Sequence, residues 1–418
     1  MVQPEASSAH ARKVALSIFL PFAAGYFVSY LYRAINAVIA DELVADVDLS
    51  ADQLGLLTSA YFLAFAAAQL PVGMLLDRFG PRRVESVLLL VAAFGAVVFS
   101  RADSLAALTM GRLLIGVGVA CCLMASFKVF VLWFRPNQLP MLNGSLLAFG
   151  ALGALTATVP VAWVLEFTSW RRLFMGLAAI TLVISALIFF VVPEDSKSPK
   201  DTHFHALING LKQVLCDGFF WRVAPVVAVF SGSSMAIATL WAAPWLRDIM
   251  LQSSGEAAAA LMFMAIGMGT GYLCLGFALT WLLRHGVRPV PVIAVLMTIF
   301  MCMVAAMATG WHIPALHLFM AAMGFFGTAP TTVYSLLSGH FDSNLSGRAG
   351  TALNLLVFLS AFVFQWSIGI VIGFWGEADA GAYQVEGYQV GFGALVVLQA
   401  IMLATLVFNR RKLADYRI

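Results

Sequence analysis

Apolar residues along this chain run in long unbroken blocks, and most charged residues fall in the gaps between them. The blocks lack the two-residue alternation of a half-buried strand. They approach or exceed the roughly 20 residues a helix needs to cross a hydrocarbon core about 30 Å thick. The first half gives six: 14–40, 52–76, 84–101, 106–133, 141–166 and 172–192. The second half gives six more: 219–247, 257–283, 290–310, 313–338, 348–374 and 388–408. A backbone in lipid must pair within itself, so each block is read as helix. A β-barrel would show short alternating segments instead. The pattern predicts an all-α membrane protein with twelve transmembrane helices.

One long polar connection, 193–218, divides the blocks six and six; it begins Pro193-Glu194-Asp195-Ser196-Lys197-Ser198-Pro199-Lys200-Asp201. The expected organisation is an N-terminal six-helix bundle (1–192), a cytoplasmic linker (193–218) and a C-terminal six-helix bundle (219–418), the two bundles being pseudo-symmetric. Basic residues then orient the chain. Seventeen of the 24 Lys and Arg lie in segments on one side, and four (Arg101, Arg171, Arg172, Arg247) lie on the other. The positive-inside rule puts the richer side, with both termini, in the cytoplasm. The expected location is a bacterial inner (plasma) membrane. The polar start, 1–13, leads into a block too long for a signal-peptide core, so it is read as a spanning helix.

Composition narrows the function. Hydrophobic residues make up 61% of the chain and charged residues 11%, against about 25% charged in soluble proteins. The net charge of +3 gives no reason to expect a nucleic-acid partner. Cys121, Cys122, Cys216, Cys274 and Cys302 form no C-x-x-C pair, so neither disulfides nor a zinc site is expected, and the thiols are read as small buried apolar groups. Met262, Met264, Met268, Met301 and Met303 have no His or Cys at ligand spacing and are read as packing, so no metal is expected. No nucleotide-binding motif is present, and no cofactor is expected. Paired aspartates, H-E-x-x-H and a Ser–His pair are all missing from the spans, which argues against an intramembrane enzyme.

Between spans two and three stands Gly73-Met74-Leu75-Leu76-Asp77-Arg78-Phe79-Gly80-Pro81-Arg82-Arg83. Glycine lets helices approach closely. Asp77, at the end of span two, can face the N-terminus of span eleven near Gly347, where the helix dipole is positive. That contact would close the cytoplasmic side. The alternative is a basic loop that only sets topology.

This motif, G-x-L-x-D-R-x-G-x-R-R, on a twelve-span chain with a central linker resembles the major facilitator superfamily. Arg112 in Gly111-Arg112-Leu113-Leu114-Ile115-Gly116 and the Trp170-Arg171-Arg172 run before span six are similar to further motifs of that family. The second-half counterpart, Gly276 to Arg288, has no aspartate. The resemblance implies the major facilitator fold and alternating access. It assigns gating to Gly73, Asp77, Arg78, Gly80, Arg82, Arg83 and Arg112. Span one, Tyr30-Leu31-Tyr32-Arg33-Ala34-Ile35-Asn36, is similar to the sugar-phosphate and organic-anion permeases, which implies that Arg33 binds an anionic head group. The family's second arginine, in span seven, falls here on Met235, against a dianionic phosphoester.

The residues support Arg33 separately. A cation inside a span costs about 2.5–3.5 kcal/mol on insertion scales; Arg33 and Lys128 lie within two of the spans, and Arg112 lies nearer the outer end of one. Tyr26, Tyr30 and Arg33 share a helix face through spacings of four and three, and Asn36 extends it. Guanidinium and phenols together form a donor strip for carboxylate or phosphate. The competing reading has Arg33 snorkelling to lipid head groups. Lys128 either meets an anion or snorkels. Tyr61 and Gln69 on span two, Trp241, Trp245 and Tyr334, and Asn354 with Gln365 on span eleven are further candidates for lining a site, or else helix–helix contacts.

No Asp or Glu is placed mid-span: Asp77, Glu85 and Glu166 are read as sitting at span ends. That weighs against proton-driven export of cations, and span five lacks the Gly-Pro signature of drug antiporters. If protons couple, His317 or the substrate's own carboxylate remains; a counter-anion is the other coupling partner. The expected protein is a monomeric secondary transporter for a small organic anion. Export of drugs, peptides or other metabolites, or a non-transporting ligand sensor of the same fold, stays open.

Overall fold

The structure is a computed structural model of the chain. It describes residues 8–135, 138–193, 204–333, 337, 340, 341, 343–376 and 382–408. The first half consists of α1 (Ser8–Ala34), α2 (Asn36–Val47), α3 (Ala51–Ser100), α4 (Leu105–Val119), α5 (Cys122–Trp133), α6 (Leu139–Thr156), α7 (Val159–Leu165) and α8 (Trp170–Val191). The second half consists of α9 (Phe204–Cys216), α10 (Gly218–Ala236), a π-helical turn at Ile237–Trp241, α11 (Ala242–Asp248), α12 (Ser254–Arg284) and α13 (Pro289–Ala308). It continues through α14 (Leu316–Gly327), a 3-10 turn at Ala329–Thr332, α15 (Ser343–Gly373) and α16 (Val385–Phe408).

Among the described residues, nine helices are long and apolar enough to cross a membrane, or ten with α1 and α2 taken as one span bent by 47°. Twelve crossings are consistent with this. The 50 residues of α3 reach about 75 Å at 1.5 Å each, more than two hydrocarbon thicknesses. The helix breaks at Gly80, where φ is 78°, a value that glycine alone adopts freely. It therefore holds two spans. The remaining crossing is assigned to α14 with its 3-10 turn.

Local chemistry sets the ends. Ser104 accepts from the Ala107 N–H at 3.3 Å. Asp217 caps α10 by accepting from the N–H groups of Phe219 (2.7 Å) and Phe220 (3.1 Å). Burial pushes the Asp217 carboxyl up, but those N–H groups and His340 outweigh it and hold it below the usual carboxylate range. The connection 193–218, expected only as linker, contains helix α9, which packs on α15.

Two apolar cores form. One draws on residues 18–192 together with Phe358 and Ala361; the other draws on residues 214–406 together with Ala37, Ala40, Ala51 and Leu54. The exceptions mark where the halves interlock. Helix α2 gives Ile39 and Leu43 to the first core and Ala37 and Ala40 to the second. Cys121 and Cys122 are buried, whereas Cys216, Cys274 and Cys302 are exposed on helix surfaces, contrary to their expected burial.

Candidate substrate cavity and gates

The bend between α1 and α2 sets Arg33 beside a cavity that both halves line. The first half supplies Tyr30, Arg33 and Ala34 from α1, Ala37 and Val38 from α2, Ala154 from α6 and Thr158 just beyond it. The second supplies Ser234, Ala238 and Thr239 around the π-helical turn, Leu261, Met264, Ala265, Met268 and Tyr272 from α12, and Gly324 from α14. The space encloses about 720 Å³, its open mouth and the solvent there included.

The Arg33 guanidinium carbon lies 4.4 Å from the ring centroid of Tyr30, 5.3 Å from Phe65 and 5.2 Å from Phe358. Rings at this range attract a cation. Phe65 and Phe358 belong to opposite halves and pack at 4.2 Å. No carboxylate pairs with Arg33 among the described residues, and its Nε is buried without a hydrogen-bond partner. The cation faces the cavity between the halves.

The other expected site residues divide into groups. Tyr26 is buried behind Tyr30, with ring centroids 5.0 Å apart. Tyr61 donates to the Ser29 carbonyl at 3.3 Å. Asn36 is fully buried and donates to Thr58 at 3.2 Å, so it ties α2 to α3. Gln69 is buried on α3. Trp241 donates to the Gln365 carbonyl at 2.8 Å, and the Gln365 amide donates to Thr239 at 3.3 Å. Trp245 donates to the Met307 carbonyl at 3.2 Å. Asn354 is half-buried on α15 and does not line the cavity. Tyr334 lies outside the described residues. Of the residues expected to bind substrate, the structure brings Tyr30 and Arg33 to the cavity wall.

Lys128 is engaged elsewhere. Its ammonium donates to Asp77 at 2.6 Å and to the Leu76 carbonyl at 2.7 Å. It lies 51 residues from Asp77 in sequence, and the pair was not foreseen. Asp77 therefore meets α5 instead of the N-terminus of α15. Among the described residues, the glycines at this end have no close neighbour. A Cβ added at Gly73, Gly347 or Gly350 would touch nothing within 4 Å. Arg78 stacks on Phe79, and Arg82 donates to the Phe189 carbonyl at 2.8 Å; Gly80 supplies the break, and Arg83 is exposed. Arg112 is buried, donates to the Tyr32 carbonyl at 2.9 Å and lies over Tyr61 at 5.2 Å. It braces α1, α3 and α4 inside one half.

The opposite end is shut. Arg247 at the end of α11 pairs with Asp41 on α2. A Cβ at Gly55 would lie 3.0 Å from the Gln365 carbonyl oxygen, and one at Gly369 would strike the Ala51 carbonyl. The backbones of the two halves touch here, so Gly369 leaves no room for a side chain and Gly55 leaves little.

Several residues of this region were missed from sequence. Ser234 and Thr239 interrupt an apolar span and carried a polar signal; Tyr272 and Phe358 carried none beyond composition. The expectation that no acidic residue lies deep fails at Glu85. Its carboxyl is fully buried, reaches Gly25 on α1, and has no partner beyond a weak thiol contact to Cys122. His317 is exposed beside Phe263 at 4.9 Å and does not line the cavity.

A cavity lined by two helical halves that touch at one end suits a transporter, and the sequence pattern of the Major Facilitator Superfamily matches residues 22–365. The chain belongs to the Major Facilitator Superfamily. Its fold, an all-α membrane fold of two pseudo-symmetric six-helix bundles, is the superfamily's, and the family and its relatives are membrane transporters, not enzymes. The chain is 22% identical over 423 residues to the probable galactarate/D-glucarate transporter GudP of Escherichia coli (strain K12), covering 90% of each chain. It is 24% identical to the D-galactonate transporter of Escherichia coli O6:H1, again over 90% of each. It is 27% identical over 189 residues to the probable sulfoacetate transporter SauU of Cupriavidus necator; that match covers 45% of this chain and 43% of the relative, less than half its length. Among solved structures, a bacterial homologue of the human lysosomal transporter Spinster superposes with a TM-score of 0.72 at 17% identity over 99% of each chain. A D-xylose–proton symporter gives 0.69 at 16% identity, covering 93% of this chain and 97% of the other.

Proposed function

We propose that this superfamily member is a secondary active transporter that carries a small organic anion by alternating access. The observation that carries this reading is Arg33: a guanidinium with no carboxylate partner among the described residues, facing a cavity walled by both halves. An incoming anion would satisfy the buried charge. The names of the relatives, sulfoacetate, galactarate/D-glucarate and D-galactonate transporters, support an organic acid as cargo. Residues 1–192 and 219–418 act as the two rocking bundles, joined through 193–218. Both walls of the cavity come from one chain, which supports a working monomer. The charge distribution supports an inner-membrane protein with both termini and the Asp77 end in the cytoplasm. Asp77, with Arg78, Arg82 and Arg83, serves the gate at that end.

The test is uptake of organic acids into proteoliposomes by the wild-type chain and by Arg33→Gln. The variant is expected to lose at least about tenfold in apparent affinity, since a charge-assisted bidentate contact contributes about 1.5–3 kcal/mol. Normal uptake by a correctly inserted Arg33→Gln would remove the anion site.

A further inference from the structure

We infer that the cavity selects organic anions with a single negative charge and an apolar body, and discriminates against dianions and polyhydroxylated acids of equal length. This rests on the reading of Arg33 as the anion's anchor. Charge is the first ground. Arg33 is the one cation lining the cavity among the described residues. The other two cations inside spans are occupied: the Arg112 guanidinium holds the Tyr32 carbonyl within the first half, and Lys128 holds Asp77. Among the described residues, a second carboxylate would meet no counter-charge on the cavity wall, and a charge that loses water there without a partner is disfavoured.

The walls are the second ground. The α12 face of the cavity carries Leu261, Met264, Ala265 and Met268. Methionine adapts to irregular apolar shapes. Five side chains on the wall carry hydroxyls: Thr158 donates its proton to the Leu155 carbonyl at 2.6 Å and Thr239 to the Met235 carbonyl at 2.7 Å, and Tyr30, Ser234 and Tyr272 are the others. A sugar acid carries hydroxyls along its whole length, so those facing Leu261, Met264, Ala265 and Met268 would be left unsatisfied, and each such group lowers affinity. An alkyl body loses no hydrogen bonds on entering and leaves water for an apolar wall. The rings of Tyr30, Phe65 and Phe358 around Arg33 extend this apolar setting to the head group.

The experiment compares three six-carbon acids on the full chain in lipid nanodiscs by isothermal titration. Hexanoate is the apolar monoanion, adipate the matched dianion and gluconate the polyhydroxylated monoanion. Hexanoate is expected to bind at least about tenfold more tightly than either of the others, and to lose that binding in Arg33→Gln. If adipate or gluconate binds as tightly as hexanoate, and that binding is lost in Arg33→Gln, the selectivity is wrong while the anion anchor stands. If none of the three binds, or binding survives in Arg33→Gln, the anchor itself falls and the selectivity with it.

Discussion

The ion pair between Asp41 and Arg247 joins α2 to α11 across the two halves, at the end where they are shut. Its strength therefore enters the opening equilibrium directly. The side chains are 44% and 18% exposed respectively, so the pair is neither a surface bridge nor a fully buried one. Exposed pairs contribute about 0.2–1 kcal/mol, and hydrogen bonds to charged groups about 1.5–3 kcal/mol. An intermediate value of about 1.4 kcal/mol predicts that Asp41→Asn or Arg247→Gln raises the open-to-shut ratio at this end about tenfold. The assay is pulsed electron paramagnetic resonance between spin labels at Phe167 and Leu251, which are 72% and 83% exposed, in a background lacking the exposed native cysteines. Because the two charges act as one pair, the double variant should shift the ratio no further than either single variant. Asp103→Asn serves as a control: Asp103 pairs with Arg171 at 2.8 Å within the first half, and its loss should leave the distance distribution unchanged. Additive effects in the double variant, or single-variant shifts below about twofold, would refute the reasoning.

Three further outcomes are expected. Gly369→Leu places a side chain against the Ala51 carbonyl and should hold the Asp41 end open, abolishing turnover while ligand binding persists; normal turnover would show that the backbones need not touch. Lys128→Met releases Asp77 from α5, and up to about 1 kcal/mol for a half-exposed pair should shift the Asp77 end toward the closed form by up to about fivefold, read by spin labels at that end. Asp77→Asn should not produce that shift, and equal behaviour of the two variants would count against Asp77 as the gate residue. Glu85→Leu replaces a buried carboxyl that has only a thiol for company, so melting in detergent should show a gain of about 1–3 kcal/mol; a loss of stability would mean that the carboxyl is satisfied in the membrane.

The crossings were legible in sequence because lipid imposes one rule on every residue of a span, and that rule acts locally. Helix α9 was legible too: Phe204, Leu207, Ile208, Leu211, Val214 and Leu215 recur at helical spacing, but the charged run before them drew the whole segment into a linker. The gates were half legible. The motif around Asp77 marked one end, yet its partner Lys128 depends on how α3 and α5 pack, which no local pattern encodes. Glu85 was misplaced for a related reason. Four residues after the Pro81 that follows the break, it counts as a span end along the chain, while its side chain reaches inward to Gly25 of α1. Arg33 was legible as an oddity because a cation in an apolar run has to be explained, whereas the α12 wall opposite it carries ordinary span residues.

At the shut end the first half presents mostly small side chains, Ala37, Ala40, Ala51 and Gly55 beside Leu54, and Gly55 and Gly369 pack against the Trp241 ring of the second half. Hydration penalties grow with apolar area, so the alanine and glycine stretch of the seam wets little hydrocarbon when it parts. The larger Ile39 and Leu43 on the other side of α2 keep that helix fastened to its own half. The molecule thus carries a tear line, weak where the halves must separate and strong one helix-width away.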